Sequence, residues 1–362
     1  MREGRGHLDA ACETLGAAQR ALGEGRFEVG FVLAKAAVLA LTRARGKDHP
    51  DVANAWLTLA SLDVELGDSS AAERRARRAV EIVGRTRAAG DLGRLRVSAW
   101  AQLAGLHRED GRHADAERLL GRAIADARRC FGPRSALVAF ALNELGVLRK
   151  FQGRYRDALP LYRSSLAIVT RLYGPDHVEV ATRLHNLGGL AHARGQFARG
   201  EAFARRSVVV RARALGRAHP AVAKDVAALA ALVEGQGRER EAIRLYRAAL
   251  RRLRHCYGAA HHEIAINLGN LGVLHARAGR KAIASRLLRA SIAMDAAILG
   301  EAHPEVARTK HNLAVTLDGS RRSAEARALS SFAADALARR LGPAHPWSRA
   351  ASARLAREGR VA

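Results

Sequence analysis

Between Asp176 and Arg194 the apolar or small residues fall at Val180, Ala181, Leu184, Leu187, Gly188 and Ala191, a spacing of i, i+1, i+4, i+7, i+8, i+11. That is one face of a helix with about 3.6 residues per turn. After Gly195 a second, shorter stripe follows at Phe197, Ala202, Ala204, Val208 and Val209. Each stripe predicts a helix of about 16–18 residues, roughly 25 Å long. The first is termed helix A and the second helix B.

Glycines set the spacing of these stripes. Gly174 recurs 42 residues later as Gly216, then as Gly258, Gly300 and Gly342, and one interval earlier as Gly132. A second glycine stands 21 residues after several of them, at Gly153, Gly195, Gly237 and Gly279; Gly46 and Gly90 are followed by Gly67 and Gly111 at the same offset. A fixed period of this length means a stacked helical repeat, in which each unit buries its apolar face against its neighbours. Gly195 and its equivalents end helix A, where a left-handed residue is wanted. Gly174 and its equivalents end helix B, and a proline such as Pro220, Pro304 or Pro346 then opens the next helix, where its missing N–H costs nothing.

The expected architecture is therefore all-α: a single α-solenoid over residues 1–362, of about eight helix pairs. The pairs are predicted near residues 8–43, 50–85, 95–129, 134–172, 177–214, 219–256, 262–299 and 304–341, with a capping helix at 346–358. Pair three enters irregularly, because Asp91-Leu-Gly-Arg stands in place of the His-Pro turn. In pair eight the mid-turn glycine, Gly319, comes two residues early, as suits a terminal repeat. Pro160 falls inside a predicted B helix, where a mild bend without a break is expected.

The run Tyr173-Gly-Pro-Asp-His-Val-Glu-Val-Ala-Thr-Arg-Leu-His-Asn-Leu-Gly188, with Tyr155-Arg-Asp-Ala-Leu-Pro-Leu-Tyr-Arg-Ser-Ser-Leu-Ala-Ile168, resembles the 42-residue tetratricopeptide repeat of kinesin light chains and their bacterial relatives. The resemblance covers essentially the whole chain and is weakest in the first pair and at residues 92–112. It implies a right-handed superhelix with A helices lining a concave face. It also implies a protein-protein interaction scaffold that holds a peptide segment in that groove.

Composition adds charge to this picture. With 61 Lys and Arg against 35 Asp and Glu, the net charge is +26. Lysine supplies only 6 of the basic residues, an imbalance that reads in part as codon bias. A charge of this size attracts polyanions non-specifically. The first residues, Met1-Arg-Glu-Gly-Arg-Gly-His, lack the apolar run of a secretory signal, and no stretch is long and apolar enough to span a membrane. A cytoplasmic protein with reduced Cys12, Cys130 and Cys256 is expected.

Six histidines, His49, His177, His219, His261, His303 and His345, occupy one position just after the repeat glycine. Successive members stand a whole repeat apart, too far to share a metal with bonds of about 2 Å, so a structural role at each helix start is expected. No Walker-type, His-Glu-x-x-His, Cys-x-x-Cys or Gly-x-Ser-x-Gly motif occurs. An enzyme, a metal and a cofactor are not expected. Twelve residues after the repeat glycines stand Thr58, Gln102, Glu144, Asn186, Ala228, Asn270 and Asn312. The resemblance implies that asparagines here hold the backbone of a bound peptide, a role it assigns to Asn186, Asn270 and Asn312 and to Asn143 one position earlier. An amide offers both donor and acceptor to a peptide unit; the same amides also suit helix packing. Lys224 and Arg308 at offset 8, with Arg277, would favour acidic side chains. Thr58, Gln102 and Ala228 interrupt the series.

The arginines concentrate on B helices. Arg240, Arg244, Arg247, Arg251 and Arg254 form one stripe, readable as a solvated outer face or as a phosphate-contacting surface for nucleic acid. Aromatic residues make up only 4% of the chain, few for base stacking. A regulatory subunit of a bacterial effector is a third reading.

Overall fold

A computed structural model of the protein describes residues 2–24, 26–85, 91–318 and 323–358. Among these residues there are seventeen helices and no strand. The A helices are α1 (Arg2–Gly23), α3 (Pro50–Glu65), α5 (Asp91–Glu109), α7 (Ala136–Phe151), α9 (Val178–Ala193), α11 (Pro220–Gly235), α13 (His262–Arg277) and α15 (Pro304–Leu317). The B helices are α2 (Phe27–Arg45), α4 (Ser69–Gly84), α6 (His113–Phe131), α8 (Tyr155–Tyr173), α10 (Phe197–Leu215), α12 (Glu239–Tyr257), α14 (Lys281–Leu299) and α16 (Ser323–Leu341). α17 (Pro346–Glu358) packs on α16. The architecture is an α-solenoid of helix pairs. α8 runs unbroken through Pro160.

The glycine punctuation works as the period requires, with a different conformation at each kind of turn. At the end of α9 the amide of Gln196 bonds to Ala191 O at 2.9 Å and that of Gly195 to His192 O at 3.0 Å, with Gly195 at φ +69°. The bond reaching back five residues is the one that closes a helix through a left-handed residue. At the ends of B helices the glycine is further out: Gly216 has φ +86° and ψ +151°, and Gly300 φ +85° and ψ +152°. Side chains with a Cβ essentially never occupy that region, so the 42-residue glycine is a steric requirement.

The histidines of the period are N-caps. In each, imidazole Nδ1 accepts the backbone N–H two residues on: Asp51 for His49, Glu179 for His177, Ala221 for His219, Glu263 for His261, Glu305 for His303 and Trp347 for His345, all at 3.1–3.2 Å. This satisfies one of the amides a helix start leaves open.

The chain divides into two compact units, Met1–Phe151 with Ala167–Leu172, and Gln152–Leu166 with Tyr173–Ala362. In the N-terminal unit Leu103 and Leu106 of α5, Leu119 and Leu120 of α6 and Leu148 of α7 close one core cluster. In the C-terminal unit Tyr246, Leu250 and Leu253 of α12 pack between Leu229 and Leu232 of α11 and Ile264, Leu268 and Leu271 of α13. Truncating a buried leucine of this kind to alanine costs about 2–5 kcal/mol. Within each unit the A helices touch in succession: α1, α3, α5 and α7 in the first, and α9, α11, α13 and α15 in the second.

Two helix starts differ from the sequence expectation. α1 begins at Arg2, not Leu8. α5 begins at Asp91, not at 95, because Gly93 is not a turn glycine. It lies inside the helix, where an added Cβ would stand 3.0 Å from the Phe131 ring. Gly90 and Gly319 lie outside the described residues.

Candidate functional site

The A-helix face of the C-terminal unit carries most of the residues singled out by sequence. Asn270 on α13 and Asn312 on α15 are half-buried there, one repeat apart. Neither side-chain amide makes a hydrogen bond within the described residues. Asn186 on α9 is also half-buried, but it is engaged within the protein. Asn143 does not belong with them. Its side chain is 3% exposed and its Nδ2 donates to Glu144 Oε1 at 3.1 Å. One position before the register of Asn270 and Asn312, Asn143 is buried in the packing.

The three cations that the sequence singles out on this face are each paired. Lys224 Nζ on α11 lies 2.9 Å from Glu263 Oε1 on α13. Arg308 holds Glu305 at 2.6 Å and stands over the Trp347 ring, 5.3 Å from its centre. Arg277 reaches Glu234 Oε1 at 2.9 Å while the Tyr246 hydroxyl donates to Glu234 Oε2 at 3.2 Å. Burial raises the Glu234 carboxyl above its ordinary value, with Arg277 opposing. Glu305 goes the other way: burial pushes it up, but Arg308, His262 and His303 outweigh this and hold it low. A bound carboxylate would therefore compete with residents already in place.

Beneath this face runs a buried polar network. Asp225 on α11, 2% exposed, accepts from Ser207 Oγ and from Arg211 Nε, each at 2.7 Å, and lies 2.7 Å from His185 Nδ1 on α9. Burial pushes Asp225 up, yet His185 and Arg211 leave it below the usual carboxylate range. The trio of Ser207, His185 and Asp225 is not a nucleophile with its base, because the serine faces the carboxylate and the Ala181 carbonyl, not the imidazole. Its evident work is to tie α9, α10 and α11 together.

The N-terminal unit presents a different face. Between α1, α3 and α5 lies a hollow of about 500 Å³. Gln19 Nε2 reaches from α1 to Thr58 Oγ1 at 3.3 Å and Asn54 Oδ1 at 3.5 Å on α3. Gln102 Nε2 reaches from α5 to Leu57 O at 3.1 Å and Ser61 Oγ at 2.9 Å. Thr58 and Gln102, which the sequence reading takes as interruptions of an asparagine series, line this hollow together with Asn54, Ser61 and Ser98. Gln19 carries a signal that was available: it stands 42 residues before Ser61 and so shares its place in the repeat.

Among the described residues no group of three His, Cys, Asp or Glu side chains is placed to hold a metal, and no helix is long and apolar enough to cross a membrane. Cys12, Cys130 and Cys256 are unbridged.

The sequence profile of the tetratricopeptide repeat matches residues 95–169, 141–212 and 225–297, more than half of the chain. The chain belongs to the tetratricopeptide repeat family. Among solved structures, this tetratricopeptide protein is similar to a Rap protein complexed with Competence and Sporulation Factor, at 11% identity and a TM-score of 0.63 over 98% of each chain. The apo form of RapI matches at 12% identity and 0.56, covering 79% of this chain and 97% of that one. BtubC from P. vanneervenii matches at 21% identity and 0.47, covering 69% and 93%. At these identities the likeness is one of fold. No curated protein matches the chain by sequence.

Proposed function

We propose that this tetratricopeptide protein is a non-catalytic cytoplasmic scaffold that holds an extended segment of a protein partner along its A-helix face, taken as a concave groove. The observation that carries this reading is the pair Asn270 and Asn312: half-buried amides at one register, with no side-chain hydrogen bond among the described residues. Helices packed about 8–10 Å apart would set them at the spacing of about three residues of extended chain. Such amides match both the N–H and the C=O of a peptide unit. Asn186, Lys224, Arg277 and Arg308 flank them, and the cations would exchange their glutamate partners for acidic side chains of the segment. The Rap protein complexed with Competence and Sporulation Factor supports the idea that such a fold holds a partner. The Asn270→Ala/Asn312→Ala variant should lose binding to acidic peptides on an array while keeping its helical circular dichroism. Unchanged binding would remove the groove role of these residues.

A second reading rests on α12. Arg240, Arg244, Arg247, Arg251 and Arg254 are all exposed and none has a carboxylate partner among the described residues. They cover about 21 Å of helix at 1.5 Å per residue. Such a stripe would bind a phosphate polymer, and affinity would fall steeply with salt as counterions are released. No retention on immobilised RNA or DNA at about 0.15 M salt would end this reading.

A further inference from the structure

We propose that the hollow between α1, α3 and α5 is a second binding site, for a short uncharged peptide segment in extended conformation that inserts an aliphatic side chain. The proposal rests on the reading of the chain as a peptide scaffold, and it names a different place and a different ligand chemistry from the C-terminal face.

Size comes first. About 500 Å³ is within the usual range of a ligand pocket, roughly 300–1,000 Å³. The hydrogen-bonding inventory comes second. The Nε2 groups of Gln19 and Gln102 are spent on bonds across the helices, which fixes both side chains in place. Their Oε1 atoms are left as acceptors, and Asn54 Nδ2 and the Ser98 hydroxyl are left as donors, with no partner among the described residues. Donors and acceptors thus alternate across three helices. An extended peptide offers the same alternation, one N–H and one C=O per residue. Three helices packed about 8–10 Å apart span roughly 16–20 Å, the reach of about five or six extended residues.

Charge decides the class. Among the described residues the wall holds one acid and one base. Asp51 is engaged with His49 at 3.4 Å and Arg45 at 3.7 Å, and Arg94 lies over the Phe131 ring, 5.8 Å from its centre. In a chain of net charge +26, this patch offers no surplus cation to attract an acid. Leu22, Leu57, Leu92 and Leu95 supply the apolar part of the wall, which suits an aliphatic side chain.

The test is an array of randomised hexapeptides, acetylated and amidated so that their ends carry no charge, probed with the full chain. Uncharged peptides containing Leu, Ile or Val should be enriched. Ser98→Trp fills the hollow without breaking a hydrogen bond, and Asn54→Asp replaces the free donor with a carboxylate of the same shape. Each should weaken those peptides tenfold or more with the melting curve unchanged, and Asn270→Ala/Asn312→Ala should bind them as the parent does. Enrichment of charged peptides only, equal binding of uncharged peptides by Ser98→Trp and Asn54→Asp, or no peptide bound at all would overturn the proposal. Uncharged peptides bound unchanged by Ser98→Trp but lost in the double asparagine variant would sink this site alone. Acidic peptides bound unchanged by the double asparagine variant, with uncharged peptides still lost in Ser98→Trp, would sink the C-terminal groove alone.

Discussion

The two units use the same repeat position for opposite purposes. Nine residues after the repeat glycine the N-terminal unit has Ala55, Ala99 and Ala141, and the C-terminal unit has Arg183, Asp225, Asn267 and Thr309. All seven are buried. Alanine there makes no directed bond, and the buried pairs that join A to B helices, Arg96 with Asp126 and Arg75 with Asp63, come from other positions. In the polar set two members join helices through directed bonds, Arg183 to Ser165 Oγ at 3.1 Å and Asp225 to Ser207, Arg211 and His185, while Asn267 bonds back to Glu263 O of its own helix at 2.8 Å. The surfaces above differ as well. Among the described residues the N-terminal hollow balances Asp51 against Arg94 and is otherwise lined by amides, hydroxyls and leucines, while the C-terminal face is crossed by paired charges. One period of sequence thus builds one backbone and two surface chemistries.

The largest expected effect comes from breaking the polar side of this comparison. Asp225→Ala leaves Arg211 buried without its carboxylate, and removing one partner of a buried pair costs about 3–5 kcal/mol. Urea unfolding should show it, and a cost below 1 kcal/mol would mean the network adds nothing that alanine does not. The pH dependence follows in sign. The folded Asp225 carboxyl titrates below its unfolded value, so its contribution is complete above the ordinary carboxylate range and is lost as pH falls through the folded value. The variant should lack that part of acid denaturation.

The helix caps give the next effect. Five A-type starts in the C-terminal unit are capped by histidine, whereas α3 has His49 and α7 relies on Ser135 Oγ, 3.4 Å from the Val138 amide. His303→Ala should cost about 0.5–2 kcal/mol in thermal melts, and His303→Asn should recover most of it. Equal losses for both variants would show that the imidazole contributes by packing and not by accepting the Glu305 amide.

The smallest effect sets two histidines against each other. Burial and Arg112 lower His107 in the N-terminal unit, and neither of its ring nitrogens is hydrogen-bonded. Burial also disfavours charge on His262 in the C-terminal unit, but Asp295 at 2.8 Å with Glu305 and Glu263 raises it overall. A base with a lowered folded value contributes stability above the ordinary imidazole range and loses it as pH falls. One with a raised value contributes below that range and loses it as pH rises. Between about pH 7.5 and 5.5, around the ordinary imidazole value, melts of His107→Leu should be less sensitive to acid than the parent, and melts of His262→Leu more sensitive. Parallel slopes would contradict the assignment.

Most of the fold was legible because period and punctuation agree. α11 and α12, Pro220–Gly235 and Glu239–Tyr257, fall almost on the predicted 219–256, since proline and histidine open the pair and Gly237 and Gly258 close its helices. Gly93 misled because a glycine needed for close approach to Phe131 looks, in sequence, like one needed for a turn. The site was less legible. Asn143 shares its residue type with Asn270, but one position of helix rotation sends it inward. Thr58 and Gln102 looked like breaks in a series, whereas their partners Gln19 and Ser61 come from neighbouring helices and make sense of them only in three dimensions.

The most direct measurement is backbone hydrogen exchange of the full chain, with and without peptides selected on the array. Bound uncharged peptide should slow exchange in α1, α3 and α5, and bound acidic peptide should slow it in α13 and α15. Protection confined to B helices such as α4 and α12, with the A helices unchanged, would contradict the account that the A-helix faces are where this protein grips its partners.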